Sequence, residues 1–217
     1  MGLMNDLQIF SALIDLYKDN IINVSFSKPH FSDISKVKAI YLGCDPSNKR
    51  FNIHFPYVFA LDYDETDHFK GFVKSHSNNL AQIGLTWDTV YAQNLCRNYF
   101  KEETSKNLKV WKQVANEFWI EQLKDELKIF NSKIPVLLTS QYLLEVLGID
   151  GYEKIKAPEF YKCKRSIAIP ANKNKLEREL IPLYRGKSPR FKISYHLSNN
   201  EWEEYREKVK LYFKTNQ

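Results

Sequence analysis

The sequence predicts an α/β fold: a three-layer α/β/α sandwich around a short, mainly parallel central sheet. Three observations carry this expectation. Short apolar runs that stop at glycine or at small polar residues alternate with longer segments of helical periodicity, the pattern of strand–helix–strand units. No internal repeat or low-complexity linker interrupts the alternation. The 217 residues therefore read as one domain, with residues 1–35 as a helical N-terminal extension and 37–213 as the core. Hydrophobic residues at 43% and charged residues at 27% describe a globular chain rather than a disordered one.

The elements follow in order. Phe10, Leu13, Ile14 and Tyr17 recur at helical spacing, so the first twenty residues form an amphipathic helix. Val37-Lys-Ala-Ile-Tyr-Leu-Gly-Cys-Asp45-Pro46 reads as a buried strand that stops at Gly43 and delivers a carboxylate onto a proline-stiffened turn. A polar loop over 47–55 leads to a second apolar run, Tyr57-Val-Phe-Ala-Leu61. A helix from about Phe69 to Ile83 ends at Gly84, a C′ glycine, and Thr89–Asn94 is a strand ending in amides. Leu108, Trp111, Ala115 and Phe118 mark one face of a long helix from about Ser105 to Phe130. Pro135–Leu138 is a short buried strand, followed by a helix over Gln141–Leu147 closed by Gly148. Phe191–Tyr195 alternates like a strand, and the capping box Ser198-Asn-Asn-Glu201 starts the last helix, whose apolar face is Trp202, Tyr205, Val209 and Tyr212.

Composition narrows the class. No apolar run approaches the roughly 20 residues of a membrane span, and Met1–Asp15 lacks the basic start and small-residue cleavage site of a signal peptide. Cys44, Cys96 and Cys163 are odd in number and have no metal-type spacing, so free thiols in a reducing cytoplasm are expected. Charge is uneven. Between Lys154 and Lys192 twelve Lys/Arg stand against three Asp/Glu, a local balance of +9 in a chain of net +6, which leaves −3 on the remainder. Such a segment is either a solvated basic loop or the footprint of a polyanion, of which nucleic acid is the commonest.

Under the parallel-sheet reading, Asp45, Asn94, Ser140 and His196 lie at the C-terminal ends of four strands, the edge on which open α/β sheets bind ligands. Each has a plain structural role available as well. Asp45 and Asn94 suit turns and caps, Ser140 suits the N-cap of the helix after it, His196 suits a hydrogen-bonding gap, and Phe59 suits a core. Other chemistries lack residues. With seven glycines there is no phosphate loop, no Gly-x-Ser-x-Gly elbow occurs, and His54, His68 and His76 read as isolated loop residues rather than metal ligands.

Taken in order, Gly43-Cys-Asp-Pro46, Tyr57-Val-Phe-Ala60, Val90-Tyr-Ala-Gln-Asn94-Leu and Ser194-Tyr-His196-Leu-Ser198 resemble the motifs of the uracil-DNA glycosylase superfamily. The middle of the chain is most similar to its bacterial branch with a Val-Tyr-x-x-Asn strand, and Ile83-Gly84-Leu85 matches the Gly-Leu turn found there. The resemblance runs from about Val37 to Phe213. It implies a monomeric, cofactor-independent DNA glycosylase of base excision repair that flips a damaged nucleotide into a pocket and hydrolyses its N-glycosidic bond. Carried over by position, Asp45 stabilises the sugar cation and positions water, and His196 donates to the base carbonyl as charge builds there. Asn94 reads the pyrimidine edge, Phe59 stacks on its face and the backbone around Cys44 contacts the base. Ser198, Arg185, Lys187 and Arg190 bind DNA phosphates.

The departures matter. Ser47 stands where the best-known branch has a tyrosine that excludes the thymine methyl, which leaves base selection open. Leu197 replaces the proline of His-Pro-Ser, and Asn199-Asn200 offer no apolar wedge for the vacated stack. Three cysteines at unmatched positions do not supply the four ligands of the branch that binds an iron–sulfur cluster. The second implication is thus a protein of this fold that has lost catalysis and serves as a nucleic-acid-binding module.

Overall fold

Four runs of residues buried at every position, Ala39–Gly43 (β1), Val90–Asn94 (β2), Val136–Leu138 (β3) and Leu180–Pro182 (β4), form the sheet. In the computed structural model, which describes residues 4–46, 54–61, 67–184 and 198–215, they pair in the order β2-β1-β3-β4, all parallel. Strands without an exposed position need cover on both faces, which is the condition of a three-layer sandwich. Each edge is met by a single-residue antiparallel bridge, His30 on Ala92 of β2 and Ile169 on Leu180 of β4, which interrupts its ladder.

Register divides the side chains between the faces. Ile40 and Leu42 stand beside Tyr91 and Gln93, whereas Tyr41 and Gly43 stand beside Ala92 and Asn94. Among the described residues the helices are α1 (Asp6–Tyr17), α2 (Asp67–Gln82), α3 (Leu108–Val114), α4 (Ile120–Glu126), α5 (Gln141–Leu147), α6 (Ala157–Tyr161) and α7 (Asn199–Thr215). α2 covers the Tyr41 face: its His76 Nδ1 lies 2.6 Å from the Tyr41 hydroxyl. α7 packs beside α2, with Arg206 donating to Gln82 at 2.5 Å and the Tyr205 hydroxyl donating to the Pro182 carbonyl at 2.6 Å. α4 covers the other face, where Tyr91, Gln93 and Arg97 all donate to the Glu126 carboxylate.

Most helix ends are written locally. α1 begins with a capping box, the Gln8 N–H donating to Asn5 Oδ1 at 3.0 Å and the Asn5 N–H to Gln8 Oε1 at 2.9 Å. After α2 the chain reverses at Gly84, whose φ of +80° is the left-handed geometry expected of a C′ glycine. Ser198 and Glu201 form the expected capping box of α7, with reciprocal bonds of 2.8 and 3.2 Å.

Two expectations are corrected, for the long helix and for His76, and two elements are added, a 3₁₀ turn and a strand. The long helix begins at Leu108 rather than Ser105 and is interrupted by a π turn over Ala115–Trp119, after which Leu127–Ile129 tightens to 3₁₀ geometry. Trp111, before the wide turn, and Trp119, its last residue, are both buried. The run Tyr57–Leu61 contains a 3₁₀ turn, with φ of 59° at Phe59 and 58° at Ala60. His76 is no loop residue: it lies within α2 and is buried. The fourth strand, β4, falls inside the basic segment, while the expected strand Phe191–Tyr195 lies outside the described residues.

β4 is anchored by Arg178, two residues before it. The buried guanidinium donates to the carbonyls of Leu127 (2.7 Å), Phe130 (2.9 Å), Asn131 (2.6 Å) and Ile134 (3.3 Å), capping the end of the helical run that began with α3. A cation there also meets the negative end of the helix dipole. Arg178→Met keeps the apolar stem and removes every donor, so it is expected to destabilise the protein by about 3 kcal/mol, read as a lower urea midpoint at unchanged slope.

Candidate functional site

The sheet order reverses direction between β1 and β3, with β2 on one side and β4 on the other. Such a switch point opens a crevice at the C-terminal ends of its strands. Asp45 lies two residues beyond the end of β1, next to that crevice. The ladder continues past β1: the Leu95 N–H donates to the Gly43 carbonyl at 2.8 Å and the Cys96 N–H to the Cys44 carbonyl at 2.9 Å. On the other side, the Thr139 N–H and hydroxyl both donate to the Leu42 carbonyl, at 3.1 and 2.8 Å. The backbone delivering Asp45 is therefore held from both sides, and Pro46 after it is buried.

Gly43 pairs with Asn94 in the register. A Cβ on Gly43 would fall 2.2 Å from Asn94 Oδ1 and 3.0 Å from Phe59 Cζ. The carboxamide and the aromatic ring thus close over a position that only glycine can hold. Asn94 is 3% exposed and its Nδ2 has no hydrogen-bond partner within the protein. A buried amide donor without a partner costs roughly 1–3 kcal/mol, a cost that a ligand acceptor would remove.

Phe59 is held by the layer beneath it. Its ring packs 5.1 Å from Tyr41, 5.0 Å from His76 and 5.8 Å from Trp87, centroid to centroid. Two consecutive left-handed residues that are not glycine, Phe59 and Ala60, store backbone strain that surrounding structure must hold in place. The hold comes from bonds between neighbouring segments, Val58 N–H to Lys28 O at 3.0 Å and Lys28 N–H to Pro56 O at 2.9 Å.

Asp45 is half-buried, and its Oδ2 accepts a hydrogen bond from the Thr104 hydroxyl. The buried Cys96 thiol is pushed well up, first by burial and then by the nearby Asp45 and Cys44, so it stays protonated. Cys44 is half-buried, and among the described residues, which include all three cysteines, no disulfide forms. No group of three His, Cys, Asp or Glu suited to a metal ion occurs among the described residues.

The structure therefore brings Cys44, Asp45, Phe59 and Asn94 to one edge of the sheet around Gly43. Ser140 is the N-cap of α5, accepting from the Tyr142 N–H at 3.2 Å. Ser198 is the cap of α7, and its own N–H is taken by Glu201, so a phosphate at Ser198 would have to displace a carboxylate. His196, Arg185, Lys187, Arg190, Ser47 and Leu197 lie outside the described residues. The chain matches no protein-family model and no curated protein.

Much of the described basic segment is committed internally. Lys156 pairs with Glu145, Arg165 with Glu159 and Lys173 with Asp150, Lys175 donates to Asn116, and Arg178 is the buried cap described above. Sequence reasoning missed Thr104 and the Tyr41–His76 pair behind Phe59. Tyr41 at least carried a signal, because it stands one residue out of phase with Ile40 and Leu42 and so on the same face as Gly43.

Gly43→Ala is expected to cost about 1–3 kcal/mol by overpacking against Asn94 and Phe59. Adding Asn94→Ala should recover part of that loss by vacating the carboxamide's volume. A urea-unfolding double-mutant cycle measures this coupling; strictly additive losses would show that the two residues do not share space.

Proposed function

We propose that the chain is a monomeric DNA glycosylase that removes uracil or a related modified base by hydrolysing its N-glycosidic bond, without a cofactor and in the cytoplasm. The observation that carries this reading is the convergence of an aromatic face (Phe59), a buried carboxamide with an unused donor (Asn94) and a carboxylate (Asp45) around Gly43 at one sheet edge. Those are the groups that a flipped pyrimidine and its sugar require. The order of the four sequence motifs supports it further.

In this reading the base stacks on Phe59 and bonds to Asn94 through one donor and one acceptor. The C1′–N bond breaks with its electron pair departing on the base, while the Asp45 carboxylate stabilises the positive sugar. A water oxygen then bonds to C1′ and gives its proton to Asp45, which passes it to solvent. The base anion takes up a proton from solvent, so the products are the free base and an abasic sugar. His196 would bond to the base carbonyl as negative charge accumulates there.

The test is base release from single- and double-stranded oligonucleotides carrying uracil or other modified bases. Asp45→Asn should lower release at least about 100-fold with DNA affinity nearly unchanged; equal release by the variant would remove Asp45 from the mechanism. DNA binding without release by the wild type would identify a nucleic-acid-binding module instead, the reading that Leu197 in place of the family's proline favours.

Salt dependence tests the DNA contact. The phosphate contacts in this reading are those of Arg185, Lys187, Arg190 and Lys192. Log affinity for duplex DNA should then fall against log salt with a slope of about −3 to −4, and a flat response would show that these residues do not meet phosphates.

A further inference from the structure

We infer that Thr104 is the positioning residue of the Asp45 carboxylate, fixing its orientation and keeping it ionised. The inference rests on the glycosylase reading above for the reaction, but its central claim concerns Asp45 and is measurable without any reaction.

Thr104 lies in the turn between β2 and α3, 59 residues from Asp45 in sequence, and its hydroxyl donates to Asp45 Oδ2. A threonine just ahead of a helix ordinarily turns its hydroxyl back onto a nearby backbone N–H. This one reaches across the sheet edge instead, and the residue is only 8% exposed. A side chain so enclosed samples few rotamers, so its hydroxyl is held in place rather than found by chance.

The mount beneath it is firm. Lys106 N–H donates to the Glu103 carbonyl at 2.8 Å, and Asn107 N–H reaches the Glu103 and Thr104 carbonyls at 3.1 and 3.3 Å, closing the turn on itself. Trp111 N–H donates to the Asn107 carbonyl at 2.9 Å, and the Trp111 side chain is fully buried. The hydroxyl is thereby carried on a turn rooted in the core.

A carboxylate that must stabilise a sugar cation has to be charged and correctly rotated. One hydroxyl bond to Oδ2 fixes rotation about the Cβ–Cγ bond and favours the ionised form. Among the described residues, Cys44 on its own strand end and Cys96 beyond β2 are ionisable groups close to Asp45. Cys96 remains a neutral thiol, so it adds no second negative charge. On the turn itself Glu102 and Glu103 are balanced by Lys101 and Lys106.

The experiment compares wild type with Thr104→Val, which keeps the branched shape and deletes the hydroxyl, Thr104→Ala, which deletes both, and Thr104→Ser, which keeps the hydroxyl. The Asp45 carboxyl carbon is titrated by NMR in each, and base release from a uracil-containing oligonucleotide is followed against pH. Valine and alanine should each raise the Asp45 pKa by about one unit, move the acid limb of the kcat profile by the same amount and lower kcat about tenfold with KM little changed. Serine should restore all three. An Asp45 pKa that is the same in the valine, alanine and serine variants as in wild type overturns the inference. Absence of base release from the wild type counts against the glycosylase reading alone, since the carboxyl titration still decides the role of Thr104.

Discussion

Gly43 and Asn94 face one another across the β1–β2 ladder, and the carboxamide occupies the volume that any side chain at position 43 would need. The whole C-terminal edge of the sheet is organised around that vacancy. Glycine inside a strand ordinarily weakens it by roughly 0.5–1 kcal/mol, and here neighbouring bonds offset the loss. The ladder runs two residues past β1 on the β2 side, and Thr139 doubles its bond to Leu42 on the β3 side. A backbone held so firmly can present Asp45 at a fixed place while leaving space above Gly43 for a ring and an amide.

The same edge carries features that fold stability alone would not select. Phe59 and Ala60 hold left-handed backbone without being glycine, and Asn94 keeps a buried donor without an intramolecular partner. Both are unfavourable in isolation, and Phe59 and Asn94 both close on Gly43. The layer that stabilises them is aromatic: Tyr41, His76 and Trp87 form the floor on which the Phe59 ring rests. At the far side of the sheet the forked guanidinium of Arg178 satisfies four carbonyls at once.

What local sequence could reveal, it revealed. β1, β2 and β3 were legible as apolar runs of strand length, the end of α2 through Gly84, and the start of α7 through Ser198 and Glu201, because each signal lies within a few residues of the element it defines. The elements that escaped depend on distant partners. β4 is three residues long, ends in proline and sits among lysines, so only its pairing with β3 makes it a strand. His76 looked isolated because its partner, Tyr41, lies 35 residues away on the sheet. Of the candidate site, Asp45, Phe59 and Asn94 were singled out through strand ends and motif order. Thr104 stands in a polar turn like many others, and nothing near it in sequence marks it. In the basic segment the charge was visible, whereas the pairing of Lys156, Arg165 and Lys173 with Glu145, Glu159 and Asp150 was not, because those partners are set by the fold.

The π turn at Ala115–Trp119 separates two stretches of ordinary helix whose apolar positions keep different phase. Trp111 and Trp119 are both buried, and the Trp119 indole donates to Asn98 at 2.8 Å. The wide turn therefore acts as a phase adjuster between two independently anchored halves. A one-residue deletion or insertion inside it would alter only the winding of five residues. The same change within α3 or α4 would shift the apolar face of that half, so length variation in this helix is best absorbed in a single short window.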